Sequence, residues 1–279
     1  MSSHMQLPLE DDFFERFSIS TLVFRGFEPV CKKSLTAIAE AGFRGIELLE
    51  SPDQFDLANK ESISLVASNC NDLDLSIFTF HAHYLDFDDV NSQATLQKKL
   101  DICYRQIDVL EYFGGLFWAC HLHQIDAFGM KALEHLARYI ENRPIKIGVE
   151  NFVGRGMWVE DRLSSLKQLD APKIGLLLDI GHVRNERGAN PMTLPGYARQ
   201  IILSTQPYLY HLHLYGFVGG VDHYPPHCPA DTIQWREVMA TLQEINYRGL
   251  YNFEPKGKPK HNDSIHLAAE FYSTMNSLP

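Results

Sequence analysis

Short apolar runs alternate with longer amphipathic segments along almost the whole chain. Apolar runs of this length, bounded by polar residues, are typical of buried parallel strands. The segments between them repeat apolar residues every three or four positions, which predicts helices that pack one face against a sheet. The predicted strands cover residues 17–24, 45–49, 75–81, 115–121, 145–150, 174–179, 210–215 and 250–254. Eight strand–helix repeats in about 250 residues predict an α/β fold, a single (β/α)8 TIM barrel.

The alternative to a barrel is a doubly wound open sheet, which would carry a glycine-rich phosphate turn after its first strand. The sequence at that point is FRGFEP, with a single glycine, so the barrel is favoured. We expect residues 1–279 to form one domain. Residues 1–12 are predicted to be a flexible extension that includes the remnant of an expression tag at 3–5. The longest irregular loop is predicted at 216–231, and loops of this length are often functional.

Four of the predicted strands end on a possible metal ligand. These residues are Glu150, Asp179, His213 and Glu254, spaced 29, 34 and 41 residues apart. A charged side chain at the end of a buried strand is costly unless it points into a site. Catalytic residues of barrels lie at the C-terminal ends of the strands, where these four side chains would meet. The pattern therefore predicts a divalent-metal site built from three carboxylates and one imidazole.

Further polar side chains are expected at the same rim, where they would hold either substrate or additional metal ions. They are His81, His121, His182, Asp222 and His223. His211 lies two positions before His213 on the same face of its strand. It is predicted one layer deeper, as a hydrogen-bond partner of the ligand. The predicted apolar wall of the substrate pocket consists of Phe24, Phe80, Tyr84 and Trp118.

The charge and composition narrow the choice of partners. The chain carries 35 acidic and 25 basic residues, a formal charge of −10, and its one basic cluster is KGKPKH at 256–261. Proteins that bind nucleic-acid backbones normally present a basic face, so we expect a small-molecule substrate and no nucleic acid. The sequence shows no signal peptide and no apolar stretch of the roughly 20 residues that span a bilayer, so no membrane association is expected.

The five cysteines are scattered and form no CxxC pair, which favours a reducing, cytoplasmic location over a disulfide framework. A homo-oligomer is compatible with this chain, although no segment indicates an interface.

Several short motifs occur in an order that resembles a known superfamily. They are GFRGIEL, ENF, DIGH, HLHL, VDHYPP and NFEP. Together they resemble the xylose isomerase-like TIM barrels, which include sugar and sugar-phosphate isomerases and epimerases, inosose dehydratase-type enzymes and endonuclease IV. The resemblance covers nearly the whole chain and implies that the shared metal site is Glu150, Asp179, His213 and Glu254.

The same resemblance assigns two different roles to the remaining histidines. In the epimerases, the position of His182 contacts substrate hydroxyls. In endonuclease IV, the histidine at the position of His182 binds zinc. Further zinc ligands of that enzyme resemble His81, His121 and His223 of this chain. Two segments depart from the family pattern, Tyr215–Gly216 after the seventh strand and residues 227–231 in the following loop. Substrate contacts in that loop are therefore not carried over.

The resemblance implies a divalent-metal-dependent isomerase or epimerase that acts on a keto sugar, sugar phosphate or polyol. A Mn²⁺, Zn²⁺, Co²⁺ or Mg²⁺ ion would stabilise an enediolate, with Glu150 and Glu254 as acid and base. The alternative is a multinuclear zinc phosphoester hydrolase with an endonuclease IV-like site. The acidic charge argues against DNA and favours a small phosphodiester such as a cobamide. A third hypothesis is a metal-dependent sugar-binding barrel without catalytic activity. It is disfavoured because sugar binding alone would not need two glutamates at the metal.

Overall fold

Eight parallel strands close into a barrel in the computed structural model, which describes residues 16–275 except 52–53, 86–89, 91, 123–124, 155–156, 227 and 258–260. In chain order the strands are β1 (Phe17–Ser20), β2 (Gly45–Leu49), β3 (Ser76–Leu85), β4 (Phe117–Leu122), β5 (Lys146–Glu150), β6 (Ile174–Asp179), β7 (Leu209–Leu214), β8 (Gly216–Val218), β9 (Val221–Tyr224) and β10 (Leu250–Phe253). The order around the barrel is β1-β10-β7-β6-β5-β4-β3-β2, and β8 and β9 form a separate hairpin. The predicted TIM barrel is confirmed.

Within the described part of the chain, eight α-helices follow the barrel strands. They are α1 (Lys32–Glu40), α2 (Lys60–Asp72), α3 (Gln93–Tyr112), α4 (Ala127–Ile140), α5 (Val159–Leu169), α6 (Tyr197–Thr205), α7 (Trp235–Glu244) and α8 (His261–Met275). Side-chain oxygens of Asn59, Ser92 and Asp126 accept backbone N–H groups of the first turns of α2, α3 and α4. These caps satisfy donors that have no partner inside the helix, and so they fix where the helices begin. Among the described residues, no helix has the length and apolar character of a membrane span.

The first strand is shorter than the sequence predicts. β1 ends at Ser20, and residues Thr21–Phe24 form a 3₁₀ helix. The Ser20 hydroxyl accepts the backbone N–H of Leu22, which turns the chain out of the strand. The predicted extension at residues 1–12 and the side chain of Tyr84 lie outside the described residues.

The predicted irregular loop at 216–231 contains the β8–β9 hairpin. Gly219 and Gly220 join its strands with φ values of 57° and 86°, the left-handed conformation that two-residue hairpin turns require. The second strand carries Asp222 and His223. The hairpin thus holds two of the predicted site residues beside the barrel mouth.

Candidate metal centre

The four predicted ligands at the strand ends lie together, and all four are buried. His213 occupies the middle of this group. Its Nδ1 lies 3.2 Å from Glu254 Oε2, 3.6 Å from Glu150 Oε2 and 3.9 Å from Asp179 Oδ2. Parallel strands in register bring their C-terminal ends to one rim, which is why residues so far apart in sequence meet. One imidazole nitrogen and three carboxylates converge there.

A second group of donors shares Glu150 with the first. His81 Nε2 lies 2.8 Å from His121 Nε2. The same Glu150 Oε2 lies 3.4 Å from His81 Nε2 and 3.0 Å from His121 Nε2. One carboxylate oxygen therefore faces donors from β3, β4 and β7 at once.

A third group consists of His182, Asp222 and His223. His182 Nε2 lies 3.9 Å from Asp222 Oδ2, and Arg184 donates to that same oxygen at 2.6 Å. His223 has a left-handed backbone with φ of 57°. Its Nδ1 lies 2.8 Å from the carbonyl oxygen of Glu254. This contact with the residue that carries the Glu254 carboxylate, together with its closeness to His182 and Asp222, places His223 at the centre.

Several buried donor atoms in these groups make no hydrogen bond within the described residues. They include Glu150 Oε2, Asp179 Oδ2, His81 Nδ1 and His213 Nδ1. Buried polar atoms without hydrogen bonds are rare in proteins, because each costs about 1–3 kcal/mol. Mixed imidazole and carboxylate donors at these separations match the preferences of zinc and related divalent ions. The residues present therefore fit a bound metal.

A fifth carboxylate, Glu47, lies inside the barrel beneath these groups and was not among the predicted site residues. It stands in the middle of β2 and is fully buried. Its Oε2 lies 3.1 Å from His213 Nε2, and its Oε1 lies 3.5 Å from His81 Nδ1. The apolar run GIELL contains a charged residue that a buried strand tolerates only beside a site, and that signal was present in the sequence.

The electrostatics of the metal-free centre reflect this crowding. Burial raises the pKa of Asp179 to about 7, although the neighbouring His182 acts in the opposite direction. Burial also disfavours the charge on Glu254, but His213 and His81 outweigh it and hold the pKa of this carboxyl well below its usual range. Burial lowers the pKa of His223 to about 4, so this imidazole is neutral and able to act as a ligand at physiological pH.

These shifts predict how the stability of the metal-free protein depends on pH. A raised carboxyl pKa at Asp179 and raised imidazole pKa values at His81 and His213 mean that the folded state binds more protons. Stability therefore falls as the pH rises through neutrality. The lowered pKa of Glu254 and the lowered pKa values of His121, His211 and His223 remove stability in acid. Chelated protein should be most stable at about pH 6 to 7.

The metal-loaded protein should show the opposite trend as the pH rises from about 7 to 8, because divalent ions displace protons from their ligands. Thermal unfolding of chelated and zinc-loaded samples across this range checks both trends. Parallel curves for the two samples would contradict metal binding at these groups.

Asp179 is held by a set of neighbours that orient its carboxylate. Tyr215 donates its hydroxyl proton to Asp179 Oδ1 at 2.5 Å, and the backbone N–H groups of Gly181 and His182 donate to the same oxygen. The Asn151 side chain bridges the backbone N–H and carbonyl of Asp179. Oδ1 is thus fully engaged, and Oδ2 remains for the metal.

Gly181 offers a test of this arrangement that leaves every donor in place. A Cβ atom at this position would lie 2.6 Å from Tyr215 Cζ and 2.7 Å from the Tyr215 hydroxyl oxygen. Tyr215 is fully buried and cannot move aside freely. We expect G181A to cost about 1–3 kcal/mol of stability through overpacking and to weaken zinc binding about tenfold or more. Denaturation and zinc titration measure both effects, with E186A, a change at an exposed residue of the same loop, as the control.

The predicted aromatic wall is not where the sequence placed it. Phe80 and Trp118 are fully buried, but they do not line the cavity at the barrel mouth. Because His81 faces the barrel interior, strand alternation turns Phe80 toward the helices. Trp118 donates its indole N–H to Gln106 of α3, which places it on the same outer side. Phe24 is buried beside a separate surface cavity formed with α1.

Other residues line the mouth instead. The ring of Phe152 contacts the rings of His121 and His182 edge-on, with centroids 5.1 and 4.6 Å apart. Arg25 and Lys256 also line the cavity. These three residues lie in the segments after the strands. A prediction based on the last residue of each strand therefore could not identify them.

His211 lies one layer deeper than His213, as its position on the strand predicts. It is fully buried, and its Nε2 lies 3.5 Å from Glu47 Oε2. Neither of its ring nitrogens makes a hydrogen bond to the described residues. The predicted role as a hydrogen-bond partner of His213 is not seen, because Glu47 occupies that position.

The closed barrel with metal donors at its C-terminal rim defines the class of (β/α)8 proteins that build their site at the strand ends. The chain belongs to the xylose isomerase-like TIM barrel family, whose family model matches residues 35–274.

Known proteins similar to this chain include enzymes and a protein whose structure was solved with bound magnesium. The chain is 30% identical over 179 residues to a 3-dehydroshikimate dehydratase of Pseudomonas putida; the match covers 61% of this chain and 27% of that protein. The chain therefore spans about a quarter of the length of this relative.

Two solved structures share the fold over nearly their whole length. A D-tagatose 3-epimerase-like protein has a TM-score of 0.73 and 22% identity, covering 94% of this chain and 98% of that one. A xylose isomerase-like TIM barrel protein from Mycobacterium smegmatis, in complex with magnesium, has a TM-score of 0.74 and 17% identity, covering 94% and 96%. At these identities the likeness supports the fold and leaves the reaction open.

Proposed function

We propose that this protein is a multinuclear zinc enzyme that hydrolyses a small phosphodiester. The observation that carries the proposal is the sharing of Glu150 between two groups of donors. One oxygen of this carboxylate faces His81 and His121 on one side and His213 on the other. A carboxylate shared in this way is suited to bridge two ions, and multinuclear sites clamp the attacking and leaving oxygens of a phosphoryl displacement.

The charge of the centre supports more than one ion. Glu47, Glu150, Asp179 and Glu254 are all buried, and each has a histidine nitrogen within 3.9 Å of a carboxylate oxygen. A single divalent ion would leave this group with a substantial negative charge in a desolvated site, which is costly. Two ions would balance the four carboxylates.

The mouth of the site suits an anion. Its cavity has a volume of about 140 Å³ and is lined by Arg25 and Lys256 as well as by the histidines. A larger cavity of about 540 Å³ shares His182 with it, and an apolar cavity of about 450 Å³ shares His223. A phosphate group in the central cavity would thus have space for an organic substituent on either side. The chain's net charge of −10 argues against a DNA duplex as the substrate.

Zinc, when bound, supplies Lewis acidity that activates water and neutralises charge on the phosphoryl oxygens. The protein groups do the rest. Arg25 and Lys256 attract and orient the anionic diester, while Phe152 shields the imidazoles of His121 and His182 from bulk water. The water gives up a proton as its oxygen bonds to phosphorus, and the departing alkoxide takes one up.

A second candidate is the isomerase or epimerase reaction, which also rests on a specific observation. Glu150 and Glu254 approach His213 from different strands, an arrangement that suits proton removal and return on two faces of a substrate. The dehydratase and epimerase-like proteins similar to this chain are consistent with such proton chemistry. This reaction needs one ion, and it leaves the donors His121, His182 and His223 to substrate hydroxyls.

Two assays on the same zinc-loaded preparation separate these reactions. We expect hydrolysis of bis(p-nitrophenyl) phosphate that disappears on chelation and returns with zinc. In D₂O we expect no deuterium uptake into D-tagatose, D-allulose or L-ribulose. Exchange into a ketose together with no hydrolysis of the diester would overturn the proposal in favour of an epimerase.

A further inference from the structure

The buried carboxylate of Glu47 belongs to a chain of hydrogen bonds that crosses four strands. Ser18 of β1 donates its hydroxyl to Asn252 Oδ1 at 2.8 Å. Asn252 of β10 donates its amide to Glu47 Oε1 at 2.8 Å. His213 Nε2 lies 3.1 Å from the second oxygen of Glu47. All four side chains are fully buried, so water cannot substitute for any of these bonds.

The direction of every bond in this chain follows from its first member. Because the Ser18 hydroxyl donates to Asn252 Oδ1, the amide nitrogen of Asn252 faces Glu47. An ionised carboxylate only accepts hydrogen bonds. The remaining oxygen of Glu47 therefore requires a proton on Nε2 of His213.

That requirement fixes which nitrogen of His213 faces the metal centre. A neutral imidazole carries one proton, and holding it on Nε2 leaves the Nδ1 lone pair available. Nδ1 is the atom that faces Glu150, Asp179 and Glu254, and it makes no hydrogen bond. Carboxylates that orient a metal-binding histidine in this way are common in metal sites.

We propose that Glu47 is a positioning residue, which the chain from Ser18 through Asn252 holds in place so that His213 binds metal through Nδ1. This inference rests on the metal centre of the proposed function, but it does not depend on which reaction the centre performs. Glu47 contacts His213 at Nε2, whereas the other carboxylates face Nδ1 of the same ring. Its role is to select the tautomer and ring orientation of the ligand.

The variant E47Q tests the acceptor role with little change in volume. A glutamine has one acceptor oxygen, whereas both the Asn252 amide and the His213 Nε2 proton need an acceptor at this position. One of the two donors would face the new N–H group. We expect zinc affinity to fall about 10- to 100-fold, with a changed d–d absorption spectrum when Co²⁺ replaces zinc. Competition with a chromophoric chelator measures the affinity.

The double variant E47Q/N252D supplies the matched rescue. A carboxylate at position 252 accepts both the Ser18 hydroxyl and the amide N–H of the new glutamine, whose oxygen then accepts the His213 proton. We expect the double variant to regain most of the lost affinity and the wild-type Co²⁺ spectrum, while N252D alone brings two carboxylates face to face and binds zinc less tightly than wild type. Unfolding curves of the metal-free variants check that each one folds.

Two results would overturn the inference. The first is that E47Q binds zinc as tightly as wild type, which would mean that Glu47 does not position His213. The second is that the double variant stays as weak as E47Q, which would mean that the Glu47 carboxylate itself binds metal. Neither result concerns turnover of a phosphodiester, so failure here is distinguishable from failure of the proposed hydrolase activity. A wild-type protein that binds zinc normally but hydrolyses no diester would leave this inference intact.

Discussion

The variant E150Q is expected to lose phosphodiester hydrolysis by a factor of about 10³ or more and to lose at least one bound zinc ion. An amide oxygen is a weaker ligand than a carboxylate, and it carries no charge to share between two ions. Glu150 also lies 3.2 Å from His182 Nδ1, so the same change loosens the third group of donors. The loss of activity and the loss of metal should therefore occur together.

E134Q is a suitable control, because Glu134 is an exposed residue of α4 far from the rim. It carries the same chemical change and should keep full activity and full zinc content. Inductively coupled plasma mass spectrometry on both variants, beside the diester assay, makes the comparison. An E150Q protein with an unchanged number of zinc ions would show that this carboxylate does not bridge.

The largest expected loss of stability comes from Arg162, a fully buried residue of α5. Its Nε donates to the carbonyl oxygen of Glu150 at 2.9 Å, and its Nη2 donates to the carbonyl oxygen of Leu122. These carbonyls lie at the ends of β5 and β4, next to the donors Glu150 and His121. Burial lowers the pKa of Arg162 to about 10, so the guanidinium stays charged at neutral pH.

We expect R162M to lower the free energy of unfolding by about 3 kcal/mol, because it leaves two buried acceptors without a donor. Zinc affinity should fall as well, since the ends of both strands lose their common anchor. R162K is the matched control: it keeps a cation that reaches one carbonyl and should recover part of the stability. Chemical denaturation with and without chelator gives both quantities. Equal stability of R162M and wild type would contradict the anchoring role.

The repeat of apolar runs predicted the barrel correctly, and the four predicted donors at the strand ends lie close together in the structure. This worked because parallel strands in a barrel end at one rim, so sequence position translates directly into spatial position. The same logic failed for Phe80 and Trp118, since neighbours of inward-facing residues on a strand point outward. Counting alternate positions back from His81 and His121 would have excluded both.

Other parts of the centre depend on contacts that no local pattern reveals. Arg162 lies on a helix with acidic and basic neighbours, which has the appearance of an exposed surface helix. Phe152 and Lys256 reach the site through loops whose paths depend on the whole fold. Glu47 carried a usable signal, because a glutamate at the centre of an apolar strand is costly unless a site surrounds it. Its partner Ser18 lies on the neighbouring strand β1, but Asn252 lies on β10, which comes beside β1 only when the barrel closes.

The zinc content of the wild-type protein tests the multinuclear centre most directly. The chain should be purified without chelator, equilibrated with zinc, freed of weakly bound ions by gel filtration and measured by inductively coupled plasma mass spectrometry. Two donor groups that share Glu150 and a third group beside them predict two or three zinc ions per chain, falling in E150Q and unchanged in E134Q. One ion per chain under these conditions would contradict the multinuclear centre and favour single-metal isomerase chemistry.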